Sequence, residues 1–282
     1  MTKTLCVLTL FTVALANLAQ AQAGANAVVG KEDPVKHQAA LEAKKQFVGA
    51  VSPDATTACS FTFSGGTGNK FLKFCVTKNG NITQFQSPAG VEYVNVAPAG
   101  EGYAFCDFDS ATQYFDYAGY GDSGNWGAPT TVSSTATSVK IARTTSNGLY
   151  TLTQTITYNA GSSLAQISMI IKNNSTTTAH HIGILRYADV DADGFTSNSF
   201  DYTGRTAFGY NQMQHGLQLQ YVSGPSFNGG FSQLIPGGPN PCQIFTHVVG
   251  PLSDTDGSIF AQFDLQLAKK ASQTVVVAYK SF

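Results

Sequence analysis

The stretch Tyr150-Thr151-Leu152-Thr153-Gln154-Thr155-Ile156-Thr157-Tyr158 decides the fold class. Side chains of an extended chain point alternately to opposite faces, so this period of two puts every threonine on one side and the large residues on the other. β-Branched and aromatic residues suit a half-buried pleat, and the segment reads as an antiparallel strand with one wet face. Comparable runs recur at 70–77, 80–86, 91–97, 101–107, 164–172, 181–188, 217–222, 259–267 and 274–280, separated by Gly, Asn, Pro and Ser. Roughly a dozen or more strands with almost no amphipathic helix predict an all-β fold, a large antiparallel β-sandwich of supersandwich-like proportions over residues 58–282.

Ahead of this region the composition changes. Lys3, the apolar run Leu5 to Leu18 and Ala21-Gln22-Ala23 have the order of a secretory signal peptide, predicted to cover residues 1–23. That run is shorter than the ~20 residues a membrane-spanning helix needs. Residues 24–57 read as a leader with one short helix, since Asp33-Pro34 suits an N-terminal cap and first turn, and good helix formers follow from Val35 to Phe47. The expected product is secreted, either extracellular or periplasmic, with no membrane span.

Of five cysteines, Cys6 leaves with the signal peptide, and Cys59, Cys75, Cys106 and Cys242 form the even set of an oxidising compartment. Cys59 and Cys75 bracket two strand-like runs around the turn Gly65-Gly66-Thr67-Gly68, which favours their pairing and leaves Cys106 with Cys242. The close pairs of a zinc site are missing. With 16 basic and 17 acidic residues, the chain lacks the charge excess that attracts nucleic acid. The glycine turn has no following helix and no Lys-Ser/Thr, so it is not a phosphate loop.

Asp189-Val190-Asp191-Ala192-Asp193-Gly194-Phe195-Thr196-Ser197 carries the sharpest chemical signal. Carboxylates at alternate positions of a tight loop converge on a hard cation, and a glycine at the sixth permits the turn. The motif resembles the calcium loop of EF-hands and of other secreted calcium-binding modules. The resemblance implies calcium held by Asp189, Asp191 and Asp193, the Phe195 carbonyl and Ser197. Phe200 stands where the family has a bidentate Glu, so Asp201 would have to substitute from one residue further on. Asp254-Thr255-Asp256-Gly257 reads as a turn. His180 and His181 are neighbours on a predicted strand and face opposite sides, so they do not share a metal.

Between Tyr103 and Trp126, aromatic residues interleave with aspartates. Planar rings beside hydrogen-bonding carboxylates suit sugars, which makes Tyr114, Tyr117, Tyr120, Asp122 and Trp126 the candidate ligand contacts. Packing of the same rings in a sandwich core is the competing reading. Trp126, the chain's only tryptophan, sits between glycines in a predicted loop and is the strongest candidate for exposure.

The Thr-rich strands and the Lys172-Asn173-Asn174-Ser175 turn resemble sugar-processing sandwiches of the mutarotase type, whose chemistry uses a histidine and a carboxylate. Neither is matched here residue by residue. The sequence from 58 to 282 also resembles secreted bacterial proteins of uncharacterised function, on segments such as Arg186-Tyr187-Ala188-Asp189. The terminal Val275 to Phe282 resembles the last strand of outer-membrane barrels, but Lys280 occupies a position in phase with the terminal aromatic, where a lipid-facing strand is apolar. Asn81, Asn173 and Asn174 match glycosylation sequons. The reading reached is an exported, calcium-stabilised, non-catalytic binding protein with a glycan or cell-surface partner. The alternative is a sugar-active enzyme on a mutarotase-like sandwich.

Overall fold

A computed structural model describes residues 35, 38, 39, 42, 57–94, 100–159, 161, 163–235, 237–243 and 251–282. The segment expected to be a signal peptide, residues 1–23, lies outside these residues. Of the leader, Val35, Gln38, Ala39 and Glu42 are helical, and Gln38 Nε2 donates to Glu42 Oε1 one turn on, over 2.8 Å.

Among the described residues eighteen strands follow: β1 (Phe61–Gly65), β2 (Leu72–Val76), β3 (Ile82–Gln86), β4 (Glu101–Asp107), β5 (Thr112–Tyr117), β6 (Gly121–Asp122), β7 (Thr130–Ser134), β8 (Ser138–Thr144), β9 (Tyr150–Asn159), β10 (Leu164–Asn173), β11 (His180–Asp189), β12 (Asn198–Thr203), β13 (Thr206–Tyr210), β14 (Gly216–Ser223), β15 (Phe227–Gln233), β16 (Leu252–Thr255), β17 (Gly257–Leu267) and β18 (Ser272–Ser281). They form three antiparallel sheets. Nine strands run in the order β16-β12-β13-β14-β18-β10-β9-β8-β7, six in the order β15-β17-β11-β4-β5-β6, and β1-β2-β3 form a small third sheet. The fold is the all-β sandwich that the period-two pattern predicts.

One core joins all three sheets. From β9 it takes Tyr150, Leu152, Ile156 and Tyr158, the large residues of the alternating stretch, while the threonines between them face outward. β10 and β18 supply Ile167, Met169, Ile171, Val275, Val277 and Tyr279, and the six-stranded sheet answers with Tyr103, Phe105, Ile182, Ile184, Ile259 and Phe263. Phe74 and Phe85 of the small sheet pack on Tyr158 and Tyr279, at 6.2 Å in both cases. The other face of the six-stranded sheet carries a second apolar cluster, Ala104, Tyr117, Tyr120, Leu185, Tyr187 and Phe260. The segment around 239–243 covers part of that face, because the Tyr117 hydroxyl donates to the Pro239 carbonyl and Gln262 donates to the Gln243 carbonyl.

Cys59 pairs with Cys75 and Cys106 with Cys242, as the spacing predicts. The second bridge ties the 239–243 segment to β4. The strand expected over 91–97 is absent from its described part: Glu92 makes only an isolated bridge to Gln86, and its carboxylate accepts the backbone N–H groups of Phe85, Tyr93 and Val94, which takes the chain out of a ladder. β18 lies inside the nine-stranded sheet between β14 and β10 and buries Val275, Val277 and Tyr279 in the sandwich, so the C-terminal strand is not a barrel wall. The sequon asparagines Asn81 and Asn173 are buried and bond the carbonyls of Asp116 and Thr178.

Candidate functional site

Two arginines are sealed between the sheets. Arg186 and Glu101 are both 0% exposed in their side chains; Arg186 Nε donates to Glu101 Oε1 over 2.6 Å, and Nη1 donates to Gln154 Oε1 over 2.8 Å. Gln154, the one polar residue on the inner face of the alternating stretch, is thereby accounted for. Glu101 also accepts from the Ile82 N–H and the Tyr279 hydroxyl. Burial pushes its carboxyl above the usual range, while the Arg186 charge opposes that shift. Arg143 reaches Asp116 and Asp122 at 2.5 and 3.2 Å, and Asn79 Nδ2 donates to Asp116 Oδ2 over 2.7 Å. One guanidinium serves two buried carboxylates here, and burial raises Asp116 to about 7.

The aromatic candidates are taken up by the interior, Trp126 alone among them against one of these arginines. Trp126 is 6% exposed: its ring packs edge-on against Tyr103, Phe105 and Tyr114, lies under Arg143, and its Nε1 donates to the Phe115 carbonyl. The expectation of an exposed Trp126 is therefore corrected, because a β-bridge to Thr145 holds the residue against β8 and β9 and its ring joins the main core. Tyr114, Tyr117 and Tyr120 are buried as well, and the Asp122 side chain is engaged by Arg143. Tyr114 belongs to the inner core and Tyr117 and Tyr120 to the outer cluster, so alternation along β5 divides the set between two faces.

The acidic loop is brought only partly together. The carboxylates of Asp189 and Asp191 converge with that of Asp256, all ligand atoms lying within 4.8 Å of one another, and the Tyr120 hydroxyl donates to Asp189 Oδ2 over 2.7 Å. This trio can accept a metal ion. Asp193 leaves it: a tight turn over Ala192–Gly194, with left-handed φ at Asp193 and Gly194, aims its carboxylate at His215 Nδ1, 3.5 Å away. The Phe195 carbonyl accepts from Asn198 Nδ2, the Ser197 hydroxyl donates to Asp254, and Asp201 accepts the Tyr202 N–H. The third ligand thus comes from the turn before β17, which lies beside Asp189 because β11 and β17 pair through Asp189 and Ser258. Sequence reasoning missed Asp256, since only that pairing brings it close.

A third arrangement lies on the outer face of the nine-stranded sheet. In Thr206-Ala207-Phe208-Gly209-Tyr210 the small residues point inward and the aromatic ones outward, the reverse of a normal sandwich strand. Inward, a Cβ at Gly209 would collide with the Phe200 ring. Outward, Phe208 and Tyr210 lie 6.2 Å apart, and the Phe282 ring stands 5.9 Å from Phe208 and 6.3 Å from Tyr210. Phe282 is 45% exposed and held in place by two backbone hydrogen bonds to Gly216, whose missing side chain makes room for the ring. Across the sheet, Asp201 pairs with Phe208, Phe208 with Gln218, and Gln218 with Lys280, so carboxylate, amide and ammonium groups flank the rings on one face. Exposed Met213 stands in the adjoining turn.

No known protein family and no curated protein matches the chain. Solved structures do. A bacterial glucoamylase complexed with acarbose is similar over 82% of this chain and 34% of its own, at 12% identity and a TM-score of 0.52. A putative aldose 1-epimerase from Escherichia coli K12 is similar over 79% and 99%, at 10% identity and 0.42. A galactose mutarotase related enzyme from Lactobacillus acidophilus is similar over 79% and 97%, at 7% identity and 0.42. The chain spans about a third of the glucoamylase's length, and that likeness is one of fold. Among the described residues no helix is long and apolar enough to cross a membrane.

Proposed function

We propose that this chain is an exported, non-catalytic glycan-binding β-sandwich whose contact surface is the Phe208–Tyr210–Phe282 strip. The strip itself is the observation that carries the reading. A pyranose presents an apolar C–H face that packs on aromatic rings, and its hydroxyls need donors and acceptors at the edge, which Asp201, Gln218 and Lys280 supply. The fold shared with a glucoamylase that binds acarbose is compatible with a carbohydrate partner. Two disulfides suit an oxidising compartment and thus export. The non-catalytic part rests on the use of Glu101, which is sealed against Arg186, and of Glu92, which holds three backbone N–H groups. Calcium at Asp189, Asp191 and Asp256 would offset the repulsion of three close carboxylates and hold the turn before β17 against β11.

The enzymatic reading has one observation of its own. On the outer face of the six-stranded sheet His181 Nε2 lies 2.5 Å from Asp264 Oδ1, beside Phe108 and a recess of about 40 Å³ lined also by Asn228 and Gln262. Enclosed small-molecule sites are roughly 300–1,000 Å³, so this recess does not surround a sugar ring. A glycan array probed with and without calcium tests the proposal. Binding to a defined set of glycans that Tyr210→Ala abolishes supports it, and an array blank in both conditions contradicts it.

A further inference from the structure

We infer that Asp107, Asp109 and His180 form a second metal site, one suited to a first-row divalent cation such as Zn²⁺ rather than to calcium. His180 opens β11, and Asp107 ends β4. The pairing of these strands, with Ile182 opposite Asp107, brings both to one end of the six-stranded sheet, where the turn after β4 adds Asp109. The ligand atoms all lie within 4.8 Å of one another. His180 Nδ1 is 3.2 Å from Asp107 Oδ2 and 3.9 Å from Asp109 Oδ2. Bonds of about 2.0–2.2 Å at tetrahedral angles place neighbouring ligand atoms about 3.4 Å apart, between these two values.

The histidine supplies an independent pointer. Its Nδ1 is buried, in a side chain 12% exposed, and makes no hydrogen bond despite the nearness of Asp107. At that separation the Asp107 oxygen must lie off the line of an Nδ1–H, as it would when a cation occupies that line and the carboxylate ligates from the side. The remaining groups fix the ligands. The Tyr150 hydroxyl donates to Asp107 Oδ2 over 2.9 Å and its ring packs edge-on against His180 at 5.4 Å, while the Asp109 N–H donates to Asp107 Oδ1. The His181 N–H orients Asp109 through its Oδ2 over 3.0 Å. Ligands held by an outer shell of this kind are the usual company of a bound metal. Imidazole nitrogen selects against calcium and in favour of zinc and its neighbours, and the 55% exposed Asp109 side chain leaves the site open to solvent and to entry of the ion.

Zinc titration of the chelator-treated protein by calorimetry tests this directly. One zinc ion is expected to bind. Its affinity should fall at least tenfold in His180→Ala and in Asp109→Asn, and should persist in His181→Ala and in Asp191→Ala. Zinc should also shift the His180 imidazole resonances before those of other histidines. Asp109 is exposed, so Asp109→Asn reports even if His180→Ala fails to fold. No zinc uptake by the native chain, or uptake unchanged in Asp109→Asn, overturns the site.

Discussion

Arg186 on β11 and Glu101 on β4 face each other with no solvent contact, joined by Nε–H donation to Oε1 over 2.6 Å between the two large sheets. A buried pair is weak evidence of stabilisation in itself, because desolvation offsets the attraction. Removing one partner is a different matter, since it strands the other.

Glu101→Gln should therefore destabilise the protein by about 3–5 kcal/mol, because an unpaired guanidinium remains in the core. Urea unfolding of the two proteins measures this, and a change near zero would place Glu101 outside the network.

Trp126→Ala should cost about 3–5 kcal/mol, the range for truncating a core aromatic, and leave glycan binding per folded molecule unaltered. Its interior packing against Tyr103, Phe105 and Tyr114 is the reason. A nearly unchanged melting temperature together with lost binding would return Trp126 to the ligand surface.

Asp116 sets a pH dependence. Its folded pKa, raised by burial to about 7, exceeds the ordinary carboxylate value, so between about 4 and 7 the folded state binds more protons than the unfolded one. Stability contributed by this group should fall as pH rises through that window and level off above it. Glu101, also raised, slopes the same way. Melting temperatures from pH 4 to 8 should decline less steeply in Asp116→Asn than in the native protein, and parallel curves would refute the assignment.

Calcium should raise the melting temperature relative to EDTA, by about 2.7 kcal/mol of stability when present at a hundred times its Kd. Asp256→Ala and Asp191→Ala should abolish the shift, whereas Asp193→Ala should retain it, because Asp193 is turned toward His215. Loss in Asp193→Ala with retention in Asp256→Ala would restore the contiguous loop as the site.

The strands were legible in the sequence where alternation was clean. Glu101–Asp107 matches the predicted 101–107, and the ladders of β9, β10 and β17 lie where the runs place them. The disulfides were legible because their even number and spacing leave few choices. What remained hidden depends on contacts across strands. Asp256 joins Asp189 and Asp191 only through the β11–β17 register. Tyr114 and Tyr117 are three residues apart in one strand, an odd spacing that puts them on opposite faces. The signal for the outer aromatic strip was present in Thr206–Tyr210, whose small residues alternate with large ones in the sense opposite to burial. His180 and His181 were rightly separated by strand geometry, yet only the structure pairs each with its own aspartate.

The most direct test of the central claim is equilibrium binding of the strongest array glycan to the native protein and to the double variant Phe208→Ala/Tyr210→Ala, with melting temperatures recorded alongside. Both side chains lie on the outer face, so the variant should keep its fold and lose at least tenfold in affinity. A folded variant that binds as tightly as the native protein would show that the strip is not the glycan surface.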